Sequence, residues 1–258
     1  DRIRVISNVA TQISAGNYAT RVDDSESDAL GAVAVSLNAM AASLDDAFRE
    51  LSDREWHQSG IAGLNNVMIG EKTIEQLCDD ILRFIAGYTN TQAAVLYTIQ
   101  GNMLQYASGF GYKPAREREY IRIGEGLSGQ AAASGTLQEL ELPGSEAIKI
   151  SYALGEALPT HIIAIPLSDG LISGVIELAA ISHYDSREVS FLQEVSNNIA
   201  VALRAAQNRK RIQELLEETQ AQSEELRAQH SELESINAEL ETQTEKLQAS
   251  EEELRVQQ

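Results

Sequence analysis

Six side chains have the types and spacing of a small-ligand site. Tyr106, Phe110 and Tyr112 cluster behind one apolar run, Tyr152 and Glu156 precede another, and Glu177 interrupts a third. Aromatic rings exclude water while one or two placed polar atoms fix orientation, so these residues fit non-covalent binding of a small molecule. A second reading makes them loop and core aromatics around an empty pocket. Strand alternation would then turn Glu177 to solvent. Nothing in the sequence names a ligand, and no cofactor is expected.

Other chemistry is poorly provided for. Cys78 is the single cysteine, so the chain forms neither an intrachain disulfide nor a multi-cysteine metal site. Its helical, apolar surroundings read as core. His57, His161, His183 and His230 are scattered without metal-ligand spacing and read as surface or hydrogen-bonded residues. The glycines from Gly124 to Gly129 lack the P-loop pattern and read as a strand-to-helix turn. A formal net charge of -19 would repel phosphates, which argues against nucleic acid as a partner. No run of about eighteen apolar residues is present to cross a bilayer.

The elements that must position these side chains fall in three segments, 1–51, 52–206 and 207–258. In the middle one, helical spacing holds for Ile74, Leu77, Cys78, Ile81, Leu82 and Ile85. The period then becomes that of strands in Ala93–Ile99, Met103–Ser108 and Tyr120–Ile123. A short helix is expected over Leu127–Ser134. Two further strands, His161–Leu167 and Leu171–Ala180, are joined by Ser168-Asp169-Gly170, a hairpin signal. Asp185 and Glu188 form a capping box for a last helix through Phe191, Leu192, Val195, Ile199 and Leu203. The expected class is therefore α+β.

The flanking segments are helical. Ile3, Ile6, Ala10 and Ile13 mark one helix face that ends at Gly16-Asn17. A second helix carries Leu30, Leu37, Leu44 and Leu51 in heptad phase, continued by Ile61 and Met68. Two short helices bury their faces only when doubled, as a four-helix bundle. At the other end Leu226, Leu233, Leu240, Leu247 and Leu254 recur every seventh residue, the pattern of a coiled coil. Polar Gln222, Gln229, Gln243 and Ser250 share that seam and weaken it. Both leucine sets are read as the seam of a parallel homodimer.

Gly16-Asn17-Tyr18, Asp28-Ala29-Leu30-Gly31 and Asn38-Ala39-Met40 resemble the HAMP domain, the parallel four-helix relay inside the membrane in bacterial receptors. Ala29 stands where that family usually has Glu, and the start of the first helix is missing. The N-terminus therefore reads as a cut within the domain, with the membrane reached only through an upstream segment absent here. Residues 54–206 are similar to a GAF domain, through Gly124-Glu125-Gly126-Leu127-Ser128-Gly129-Gln130, Leu154-Gly155-Glu156-Ala157-Leu158-Pro159, Ile165-Pro166-Leu167 and Gly174-Val175-Ile176-Glu177-Leu178. That resemblance implies an antiparallel sheet of about six strands, helices of a dimer bundle on one face and a small-molecule pocket on the other.

Trp56, Gly63-Leu64-Asn65 and the Glu-Leu repeats of the tail resemble hybrid sensor histidine kinases in particular. The expectation is a cytoplasmic HAMP–GAF–coiled-coil fragment that performs no chemistry and signals to a downstream kinase domain. His230 lacks the Arg-Thr-Pro that the kinase family places after its phosphoacceptor. Two other readings stand beside this one. The chain could serve a different output, such as a cyclic-nucleotide enzyme or a chemotaxis receptor, or it could be a structural coiled-coil scaffold whose GAF fold binds no small molecule.

Overall fold

Two long apolar strands, β7 (His161–Ser168) and β8 (Ile172–Ala180), pair within a sheet in this computed structural model, which describes residues 2–23, 28–112, 116–142, 150–152 and 155–256. Their turn works because Gly170 takes φ +104, a conformation side-chain-bearing residues rarely adopt. Strands β1 (Ala93–Gln100), β2 (Met103–Phe110), β3 (Tyr120–Arg122) and β4 (Gln138–Glu141) complete six antiparallel strands in the order β3-β2-β1-β8-β7-β4. The sequence does not mark β4, a four-residue edge strand made by its pairing with β7. Where a loop is expected around Tyr152 and Glu156, the backbone forms a small hairpin, β5 (Ile150–Tyr152) with β6 (Gly155–Ala157).

Alternation sorts the sheet into two faces. On one, Val95, Tyr97, Leu104, Ala164 and Val175 pack with Ala131 and Ala132 of helix α4 (Gly126–Ser134). The other carries the fully buried Leu96, Ile163, Ile176 and Leu178. Helix α3 (Ile74–Tyr88) covers that face over β1 and β2, burying Leu77, Cys78, Ile81, Leu82 and Ile85 as the spacing predicts. Its start is held by a reciprocal capping pair, Thr73 with Gln76.

Two long helices flank the sheet domain. Helix α2 runs unbroken from Ala29 to Met68 and packs on α3. Helix α5, Ser186–Val256, begins at the expected capping box: the Glu188 amide donates to Asp185 Oδ1 at 2.7 Å and the Asp185 amide to Glu188 Oε2 at 2.9 Å. Phe191, fully buried, lies against Trp56 of α2 and Tyr88 of α3, with ring centroids 5.4 and 5.2 Å away. Arg187 sits 4.5 Å over the Trp56 ring and donates to Asp53 at 3.0 Å. Gly60 makes room for this cluster, because a Cβ there would stand 2.5 Å from the Tyr88 ring and 2.7 Å from Phe191.

In the N-terminal helical pair, α1 (Arg2–Ser14) buries Val9 and Ile13 against Ala34 and Ala41 of α2, with Ile6 and Leu37 partly covered. The connector is clamped by Asn38, whose amide exchanges hydrogen bonds of 2.9 and 2.8 Å with the Val22 backbone. Asp28 caps α2 by accepting from the Gly31 amide at 2.7 Å. The Arg2 guanidinium bound to Asp28, and then that amide, hold its carboxyl below the usual range. Leu30 and Leu37 are partly buried within the chain, whereas Leu44 and Leu51 are exposed.

Arg204–Gln258 forms a unit distinct from Asp1–Leu203. It is helical through Val256, and every residue from 208 to 247 is exposed, including Leu226, Leu233, Leu240 and Leu247. The side chain of Leu254 lies outside those described. No helix among the described residues is long and apolar enough to cross a membrane. Removal of the Phe191 ring should leave a cavity among α2, α3 and α5. Urea denaturation of Phe191→Ala is expected to show a loss of about 3–5 kcal/mol, and a loss under about 1 kcal/mol would show that the cluster does not secure the helices.

Candidate functional site

Glu177 is the polar break in β8, and register fixes where it points. It pairs with Val95 of β1 and Ala164 of β7, on the face that α4 covers. The Ser128 hydroxyl, buried in the first turn of α4, donates to Glu177 Oε2 at 2.5 Å. That turn approaches the sheet because its glycines permit it. Gly126 takes φ +65, and a Cβ on Gly129 would stand 2.5 Å from the Arg122 carbonyl oxygen. The Gly124 amide donates back to the Gly129 carbonyl at 2.8 Å and closes the turn.

Between α4 and the sheet lies a cavity of about 370 Å³. Its floor is β1, β8 and β7 through Val95, Glu177 and Ile162, and its rim includes Tyr112, Arg118 and Glu125. Tyr97 and Tyr120 add two more rings. The Tyr97 hydroxyl donates to the Arg118 carbonyl at 3.1 Å, and burial, reinforced by the Glu177 carboxylate, pushes its phenol well above the ordinary range. Such a space can hold a small molecule between rings and carboxylate.

Of the six side chains picked from sequence, Tyr112 and Glu177 line this cavity. Tyr106 lies behind it, edge-on to Tyr97 at 6.3 Å. Phe110 is elsewhere. A bulge in β2 pairs Tyr97 with Tyr106 but Leu96 with Ser108, so Tyr106 and Phe110 face opposite sides of the sheet. The side chains of Tyr152 and Glu156 lie outside those described. Tyr97, Tyr120, Arg118, Glu125 and Ser128 also line it and are not among those six. Tyr97 was within reach, since period two from Val95 puts it on the same face.

A second polar group lies at the end of the sheet where α5 begins. His161 is 1% exposed; the Tyr184 amide donates to its Nδ1 at 3.1 Å, so Nε2 carries the proton and donates to Glu139 Oε1 at 2.6 Å. The Tyr184 hydroxyl joins Thr91 at 2.7 Å, and Thr91 joins Thr89 at 2.9 Å. These bonds satisfy buried polar atoms and tie β7 to the loop before α5. His57 stands 3.5 Å from Glu194, and His230 3.5 Å from Glu234. Among the described residues no cluster of His, Cys, Asp and Glu could hold a metal ion.

The family model described as "GAF domain" matches residues 71–204, just over half of the chain, and that described as "HAMP domain" matches residues 1–46. Among solved structures, the GAF domain of a phosphoenolpyruvate-protein phosphotransferase (ptsP) from Coxiella burnetii is 16% identical, with a TM-score of 0.50, covering 60% of this chain and 96% of that one. The GAF domain of an Acinetobacter phosphoenolpyruvate-protein phosphotransferase is 12% identical, also at 0.50, covering 60% and 97%. Identities this low show a shared fold. No curated protein matches the chain.

Burial raises several acidic groups, most strongly Tyr97, Tyr184 and the Cys78 thiol, which is pushed up to about 12. Each keeps its proton in the native chain at a pH where the unfolded chain has lost it. The unfolded state then binds fewer protons, and stability falls as pH rises. The loss should open near pH 9, the thiol's ordinary value, and steepen past 10, the phenols' value. Urea titrations should show up to about 1.4 kcal/mol lost per pH unit for each group. Cys78→Ala should flatten the first part of that decline, and an unchanged slope would remove the thiol as its source.

Proposed function

This chain belongs to the GAF domain family, and from that premise we propose that it is the cytoplasmic sensing and relay part of a membrane sensor histidine kinase. The HAMP–GAF order is that of a sensory signal-transduction module. The chain performs no chemistry of its own. It works as a parallel homodimer that passes changes in helix packing to a downstream kinase domain.

The observation that carries this reading is the contact of Phe191 with Trp56 and Tyr88, which couples the helix entering the sheet domain to the one leaving it. A rearrangement of α2 therefore bears directly on the start of α5. Exposed leucines supply the reason to dimerise. Leu44 and Leu51 on α2, and Leu226 to Leu247 on α5, form heptad stripes that a single chain leaves in water. A second copy in register would cover them. The cavity gives a ligand access to the same equilibrium, acting through a difference in affinity between two packings.

Two measurements test the reading. Leu240→Cys chains should crosslink between identical positions at micromolar concentration, while light scattering that returns a monomer would sink the dimer. With the chain fused in phase to a histidine-kinase core, seven residues inserted after Gln207 lengthen the rod by roughly 10 Å and should leave the kinase regulated. Four inserted residues put the downstream seam out of phase and should lock the kinase on or off. Equal regulation in both variants would show that helical phase is not the signal.

A further inference from the structure

The geometry points to a small organic cation as the ligand of the cavity beside Glu177, an alkylammonium or quaternary ammonium group on a compact apolar body. This rests on the reading of the sheet domain as a ligand-responsive sensor and adds the charge of what it senses. Glu177 is partly buried between Val95 and Ala164, and its hydrogen-bond partner among the described residues is the Ser128 hydroxyl. No Lys or Arg forms an ion pair with it among the described residues. One hydroxyl leaves most of a carboxylate's acceptor capacity unused, and a charge shielded from water seeks an opposite charge.

The start of α4 strengthens the case. A helix N-terminus ordinarily attracts an anion, but this one already faces two carboxylates. Glu125 holds the cap position, makes no side-chain cap hydrogen bond and lines the same cavity as Glu177. A further anion there would meet repulsion, whereas a cation is attracted to both. Arg118 also borders the cavity, yet it is exposed at the rim, and two carboxylates outweigh one guanidinium. Tyr97, Tyr112 and Tyr120 line the space, and aromatic ring faces attract cations.

The test is calorimetric titration of the chain alone with choline, tetramethylammonium and butylammonium. Choline's uncharged tert-butyl isostere and butyrate serve as controls. At least one cation should bind with Kd below about 1 mM, and both controls should bind at least about tenfold more weakly. Glu177→Gln keeps an oxygen for Ser128 and should weaken the cation about tenfold or more. Glu125→Gln, at an exposed position whose folding is not at issue, should weaken it in the same direction. The proposal is overturned if no cation of the panel binds at up to about 10 mM, if either control binds as tightly, or if both variants bind unchanged. Binding here is read without any output domain, so its failure leaves the insertion test untouched. A chain that binds the cation but tolerates both insertions alike would keep the site and lose the relay.

Discussion

The packing of one ring governs how this molecule can behave. Phe191 lies at the first turns of α5, and around it close Trp56 from α2 and Tyr88 from α3, with Tyr88 stacked on Trp56 at 4.7 Å and on Phe84 at 5.4 Å. The Tyr88 hydroxyl donates to the Trp56 carbonyl, and Arg187 covers the outer side of the indole. Three helices from distant parts of the chain thus meet at a single aromatic contact. The sheet behind it is held in turn by α3, whose buried face is continuous with this cluster.

The two faces of the sheet divide the work along adjacent residues. In β8, Ile176 and Leu178 belong to the core beneath α3, while Val175 and Glu177 between them face α4 and the cavity. In β1 the same alternation sends Leu96 inward and Val95 and Tyr97 to the cavity side. A displacement of Glu177 thus shares its backbone with residues that support the helices. A single layer of backbone separates the cavity side of the sheet from its helix side at this point.

Much of this architecture could be read from sequence where the determinants are local. The α3 period, the Asp-Gly turn and the Asp185–Glu188 capping box each occupy a few consecutive residues, and all three form as expected. Features created by pairing at a distance could not be read that way. Strand β4, with Glu139 and Glu141 exposed, is a strand because β7 offers it an edge. The β2 bulge separates Tyr106 from Phe110, which plain alternation would have kept together. In α2 the leucines dominate the pattern, yet the chain's own contact with α1 uses Ala34 and Ala41, because small residues let helices approach closely. For the cavity, only Tyr112 and Glu177 stood out; Ser128 and Glu125 gain their meaning from the placement of α4 over the sheet.

Gly60 and Gly63 lie one turn apart on α2, and the rings of Tyr88, Phe191 and Phe84 occupy the space their missing side chains would fill. Any shift of α2 that put a side chain in place of either glycine would drive it against those rings. Large axial travel is therefore limited at this notch. Tilting is not, because rotation about the notch changes the gap there least while moving the far ends of the helix most. The glycine pair makes α2 a lever with its fulcrum at residue 60, so a displacement at Ala29 returns as a smaller displacement at Met68, in the opposite direction.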